Sequence, residues 1–298
     1  TIDGVYVFQK NFKNGVHSQA TDQARWYSVQ ASTSSGGFSL YSGVALQLDG
    51  ENACVKNCFI GGFMQAIHAY NTHRFRIKDV LTDCVNGIEA ATITDTAFIE
   101  NVHQFYFGGI GYSLTSVYRR GTFISLRDQV DWVKIHKCFA YGSPTGVYLD
   151  DINGATISDS GFDSNGAETT DWSGIHAEGA TSDLMVSNCK ITYRQHGVYI
   201  NVGTGNTITL SGLETTECVT TGVYVEEGNV TVLGGIIDGG SGGSDTGVNN
   251  NGTVNVICVG TSFRDNNADT AGLVTRYGHG QIYFPATQNA SSGVNVLD

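Results

Sequence analysis

Seven short segments of this chain repeat one pattern: a small residue, then apolar, variable, apolar and variable positions. They are Ala66-Ile67-His68-Ala69-Tyr70, Gly87-Ile88-Glu89-Ala90-Ala91, Gly146-Val147-Tyr148-Leu149-Asp150, Gly174-Ile175-His176-Ala177-Glu178, Gly197-Val198-Tyr199-Ile200-Asn201, Gly222-Val223-Tyr224-Val225-Glu226 and Gly247-Val248-Asn249-Asn250-Asn251. Their first residues are 21, 59, 28, 23, 25 and 25 positions apart. Recurrence at about 20–30 residues marks a stacked, quasi-one-dimensional fold. Stacking turns every variable position into a column of side chains, so the repeat constrains function as well as fold.

A second repeat precedes the first. It reads Val55-Lys56-Asn57-Cys58, Ile77-Lys78-Asp79-Val80, Ile135-His136-Lys137-Cys138, Ile157-Ser158-Asp159-Ser160, Val186-Ser187-Asn188-Cys189, Leu210-Ser211-Gly212-Leu213, Val232-Leu233-Gly234-Gly235 and Val259-Gly260-Thr261-Ser262. One unit therefore holds two or three short strands separated by turns. With 39 Gly and only 2 Pro, those turns rely on Gly, Asn and Asp. Apolar residues alternate with polar ones, which is strand periodicity. Hairpin signatures are missing, which disfavours a sandwich, and the Leu pattern of leucine-rich repeats is absent. The expectation is an all-β chain: a single-stranded, right-handed parallel β-helix over residues 1–298. Irregular insertions are expected near 11–43 and 103–134, with a non-repetitive segment at 276–298.

Charge and cysteine content narrow the partners. The net charge is −12, from 16 Lys+Arg and 28 Asp+Glu. That disfavours nucleic acid, whose binding rests on basic side chains neutralising phosphates, and an anionic membrane surface. It leaves an acidic glycan open, because local charge can oppose net charge. No run approaches the ~20 apolar residues of a membrane-spanning helix. Seven cysteines without a CxxC pair argue against a disulfide framework or a zinc site. Cys58, Cys138 and Cys189 share one place in the repeat and read as small buried hydrophobes.

The coil repeat over roughly residues 44–275 resembles the pectate-lyase-like right-handed β-helices. Within them the chain is most similar to the receptor-binding shaft of bacteriophage tailspikes, given its core cysteines, long insertions and non-repetitive ending. That resemblance implies a homotrimer on the virion tail, outside the cell, that binds or cuts bacterial surface polysaccharide such as capsule or O-antigen. Polygalacturonases on the same fold carry a paired Asp, then GHG, then RIK. Here Asp150-Asp151, Gly278-His279-Gly280 and Arg76-Ile77-Lys78 stand in the wrong order and too far apart, so nothing is carried over from them.

Alternation points Val147 and Leu149 inward and Tyr148 and Asp150 outward. Down the stack, the third position reads His68, Glu89, Tyr148, His176, Tyr199, Tyr224 and Asn249. The fifth reads Tyr70, Ala91, Asp150, Glu178, Asn201, Glu226 and Asn251. Rings beside carboxylates suit a linear glycan, whose C–H faces stack on aromatics. Two bland alternatives remain: Tyr and His are good strand formers, or this face is buried between subunits. Glycosidic hydrolysis needs two carboxyl groups. The candidate pair is Asp150 and Glu178, with Glu226 as a third member. Tyr148, His176, Tyr199 and Tyr224 are the candidate sugar-binding residues.

The alternative chemistry is β-elimination from a uronate, with His176 or Tyr199 as base and Arg194 and His196 neutralising the substrate carboxylate. A third reading is a non-catalytic glycan-binding or structural shaft. Asp163, Asp238 and Asp265 fall near one turn position, but Thr192 and Thr216 intervene, so turn capping is expected there. No metal and no cofactor are expected.

Overall fold

A computed structural model describes residues 1–8, 43–84, 86–105, 121–128, 131–163, 173–239, 246–252, 254–278 and 295–297. The described residues form a right-handed β-solenoid built entirely of strands, all pairing in parallel. One coil runs Asn153–Ser158, turns a corner into Gly161–Asp163, and crosses to Ser173–Gly179. The chain then enters the next coil at Ser182–Ser187. The first two strands of each coil join a broad 19-stranded sheet, and the third joins a narrow sheet of 10 strands.

The corner within the broad sheet explains the second repeat. Asn57, Asp79, Asn101, Lys137, Asp159, Asn188, Gly212, Gly234 and Gly260 occupy it on successive coils, all with φ between 49° and 64°. This left-handed conformation crowds an ordinary Cβ and favours Gly, Asn and Asp. Corner side chains also bond along the stack, Asn101 Nδ2 to Asp79 Oδ1 at 2.6 Å and Asn188 Nδ2 to Asp159 Oδ1 at 3.3 Å. The ladder includes a coil that the repeat reading passed over, Ile99-Glu100-Asn101-Val102. It also corrects the last unit by one residue. Val232 pairs with Cys258, not Val259. Cys258 is buried, Val259 faces outward and Gly260 takes the corner. A thiol that packs as a small hydrophobe disguised the register.

The narrow sheet accounts for the first repeat. Ile67, Ile88, Ile124, Val147, Ile175, Val198, Val223 and Val248 align in one column. All are buried, and each contributes about 1.5–3 kcal/mol of hydrophobic stabilisation. The small leading residue is a steric requirement. A Cβ at Gly174 would sit 2.8 Å from the Gly197 carbonyl oxygen, and one at Gly222 would sit 2.8 Å from that of Gly247. Ile124 belongs to Thr122–Arg127, a regular strand inside the stretch 103–134 that reads as irregular. Phe123 stands at its small position and is buried against Gly87, so the sequence signature vanishes while the strand persists.

The stack also extends at both ends. Ile2–Asp3 and Tyr6–Phe8 pair with Ala53–Gly61, and Asn295–Leu297 pairs with Val274–Tyr277. Arg276 occupies the inward column after Cys258 and reaches Asp269 at 3.3 Å, closing the apolar interior with an ion pair. Residues 9–42, 106–120 and 279–294 lie outside the described residues. All seven cysteines are free. Burial pushes the Cys138 thiol up to about 12, Cys189 to about 11 and Cys258 to about 12. Such thiols are inert.

Candidate active site

Strand register brings the rings of the narrow sheet together. Tyr148, His176, Tyr199 and Tyr224 pair in sequence across four coils. Their centroids are 5.2, 4.5 and 5.4 Å apart, and the Tyr199 and Tyr224 planes are 13° from parallel. His196 joins the cluster, 5.7 Å from Tyr199 and 5.0 Å from Tyr224. Five rings thus make one continuous strip along the stack.

The carboxylates flank that strip. Asp150 and Glu178 are direct register neighbours. The Tyr148 hydroxyl lies between them. It donates to Glu178 Oε1 and approaches Asp150 Oδ2 at 3.5 Å. Two hydrogen-bond lengths limit the separation of those oxygens to at most about 6 Å. The other Glu178 oxygen accepts from His176 Nε2 at 3.0 Å, which places the ring proton on Nε2. Glu178 is therefore held from both sides as an acceptor. Asp150 has no such support. Burial raises its pKa first, and the charges of Asp151 and Glu178 raise it further, against a smaller opposing pull from Arg127. Desolvation lowers the pKa of His176, outweighing the Glu178 carboxylate, so the imidazole is neutral at pH 7. Burial and the hydrogen bond to Glu178 raise the pKa of Tyr148, and burial and Glu226 do the same for Tyr199.

The corner beyond the strand holds the pair in place. Gly179 has φ 65°, and a Cβ there would sit 2.5 Å from both Asp150 Oδ1 and Asp151 Oδ1. Asp151 Oδ1 accepts from the Ala180 N–H at 2.6 Å. The two Asp side chains pack into the space that the glycine leaves.

Three site expectations need correction. Glu226 is not the fifth-position neighbour of Asn201. The register shifts after Ile200, and Asn201 pairs with Glu227. The bulge leaves Glu226 exposed, accepting the Tyr199 hydroxyl, so Glu226 belongs to the ring strip and not to the Asp150–Glu178 pair. Arg194 is not on the groove: it is fully buried, and its Nη1 donates to the Ser143 and Pro144 carbonyls. The turn that carries it points inward, tying its coil to the one two coils earlier. Asp265 leaves the Asp163 column, which runs Asp163, Thr192, Thr216, Asp238 and then Arg264. Thr192 Oγ1 donates to Asp163 Oδ1 at 2.7 Å, the turn bonding expected there.

One candidate site residue was hidden. Arg127 precedes Asp150 in the fifth-position column, and its guanidinium lies 4.9 Å from the Tyr148 ring centroid. The alternation of Phe123-Ile124-Ser125-Leu126-Arg127 carries the signal, but Phe123 replaces the small residue that opens the other repeats. The polygalacturonase-like tripeptides stay apart, with Arg76-Ile77-Lys78 in the broad sheet and Asp150 in the narrow one. His279 and Gly280 lie outside the described residues. No protein-family model, curated protein or solved structure matches this chain.

Proposed function

We propose that the narrow sheet is a groove for a linear polysaccharide and that Asp150 and Glu178 hydrolyse its glycosidic bond. The observation that carries this is the continuous ring strip running directly into a close carboxylate pair with divergent environments. Aromatic faces carry negative potential and attract the polarised C–H bonds of a sugar ring. Pairs of carboxyl groups whose surroundings push them apart divide into acid and base. Asp150, with its raised pKa, is the acid that protonates the leaving oxygen. The Glu178 carboxylate, oriented by hydrogen bonds from Tyr148 and His176, attacks the anomeric carbon. A separation within about 6 Å is nearer the 5–5.5 Å of retaining enzymes than the wider gap that admits a water. We therefore assign a covalent glycosyl intermediate on Glu178, hydrolysed by water with Asp150 acting as base. The repeat architecture supports a depolymerase of the bacteriophage tailspike kind, a homotrimer acting outside the cell on capsule or O-antigen.

Incubation with purified bacterial polysaccharides tests the reading. New reducing ends that disappear in both Asp150→Asn and Glu178→Gln, with the first product retaining anomeric configuration, are the expected result. Unsaturated, ultraviolet-absorbing products would instead favour β-elimination. Arg127 beside Tyr148 and the neutral His176 are the observations that keep that second reading alive. No cleavage of any polysaccharide that binds would reduce the groove to a binding face.

A further inference from the structure

The broad sheet carries a different constellation on its outer surface. Arg76, Phe98, Lys134 and Thr156 stand side by side on four successive coils. With Glu100 and His136 they line a cleft of about 300 Å³. Neighbouring cations are already neutralised. Lys56 meets Asp3 at 3.0 Å, Arg74 meets Asp95 at 2.8 Å, and Lys78 meets Glu100 at 3.1 Å. Arg76 and Lys134 are exposed and have no carboxylate partner among the described residues. Instead the guanidinium lies 5.4 Å and the ammonium 5.6 Å from the Phe98 ring centroid, one from each neighbouring coil. Two uncompensated cations converging on one ring stand out in a chain of net charge −12.

A second ring borders the cleft. Trp132 is two residues before Lys134 and 67% exposed, with φ 50°. A bulky residue keeps the left-handed conformation only where its surroundings hold it there. Its indole lies over the next coil, 3.9 Å from where a Gly154 side chain would begin. Gly154 is two residues from Thr156 in the same strand, so the indole and the cleft share one face.

We propose that this cleft is a non-catalytic binding site for an anionic sugar, a hexuronate unit of a polysaccharide. The carboxylate sits between Arg76 and Lys134, and the pyranose face stacks on Phe98 and Trp132. Charge alone would suit any small anion; the half-buried Phe98 ring and the exposed Trp132 ring select for a sugar that carries the charge. Thr156 is six residues beyond Asp150, about 20 Å of extended chain. The cleft thus lies around one corner from the groove, where it would tether an acidic polymer whose other units are in the ring strip. The inference rests on the groove reading only in taking the partner to be a glycan.

Calorimetric titration of the Asp150→Asn chain separates the two ideas, because nothing is cleaved during the measurement. The probes are tetragalacturonate, a hyaluronan tetrasaccharide, neutral maltotetraose and inorganic phosphate. The expected result is binding of an acidic tetrasaccharide that weakens about tenfold or more in Arg76→Gln/Lys134→Gln, as the loss of charge-assisted bonds requires. Trp132→Ala, which keeps both cations, should weaken it as well. An acidic tetrasaccharide that does not bind, or that the double variant binds equally well, overturns the proposal. So does phosphate binding as tightly as the sugar. Reducing-end release by the chain with Asp150 intact is scored separately. Its absence would count against the groove and leave the titration standing.

Discussion

Gly179→Ala probes the candidate site without touching either carboxylate chemically. Gly179 is left-handed, with φ 65°. Forcing alanine into that conformation costs about 1–2 kcal/mol. The added Cβ also meets Asp150 Oδ1 and Asp151 Oδ1 at 2.5 Å each. Ordinary van der Waals contact lies near 3.5 Å, so each carboxyl must retreat by about 1 Å. These atoms end short side chains, and rotation relieves the contact at little further cost to the fold. For catalysis the displacement matters far more, because about 1 Å of misplacement can cost 10²-fold in rate. The control is Gly260→Ala, also left-handed at φ 64° but with nothing within 4 Å of its Cβ. Both variants should lose about 1–2 kcal/mol in denaturant unfolding. Only Gly179→Ala should lose about 100-fold in reducing-end kcat. Equal kcat in the two variants would refute the role given to Asp150.

Four further outcomes follow from the structure. Asp151→Asn keeps the oxygen that accepts from Ala180 but removes the charge that, after burial, most raises the Asp150 pKa. Since the acid must be protonated to act, the alkaline limb of the pH–rate profile should move to lower pH. The sign also fixes stability. Ionising Asp150 costs more folded than unfolded, so Asp150→Asn should stabilise the chain near pH 7 and do nothing below the usual carboxylate range, as unfolding at both pH values would show. Tyr224→Ala removes the outer ring of the strip while leaving Tyr148, Glu178 and Asp150 in contact, so KM should rise about tenfold with kcat held, measured on polymer. Among the cysteines, only Cys54 is partly exposed. A thiol reagent should label about one residue in the native chain and all seven in denaturant.

Different parts of this molecule were legible to different degrees, for reasons visible in particular residues. The alternation in Gly146-Val147-Tyr148-Leu149-Asp150 is a local rule, and it placed Tyr148 and Asp150 outward without reference to any other coil. The same rule aligned Asp150 with Glu178, because each Gly-led strand starts at the same steric choke point. Where a coil broke the signature, the reading slipped. Phe123 hid Arg127, Cys258 disguised a corner, and the extra residue after Val225 moved Glu226 out of the fifth-position column. Arg194 went wrong for another reason: a turn residue has no alternation, so its direction is set by the carbonyls of Ser143 and Pro144, about 50 residues earlier.

The sequence by itself determined the solenoid, the inward columns and the rings and carboxylates of the narrow sheet, since each depends on side chains alternating within one short strand. Only the tertiary structure decided which side chains share hydrogen bonds across coils. It set Tyr148 between Asp150 and Glu178, folded Gly179 beneath them, and gathered Arg76, Phe98, Lys134 and Trp132 on the opposite sheet. Those contacts join residues 20 to 60 positions apart through turns of unequal length. Their register is fixed by the packing of whole coils, which no local pattern encodes.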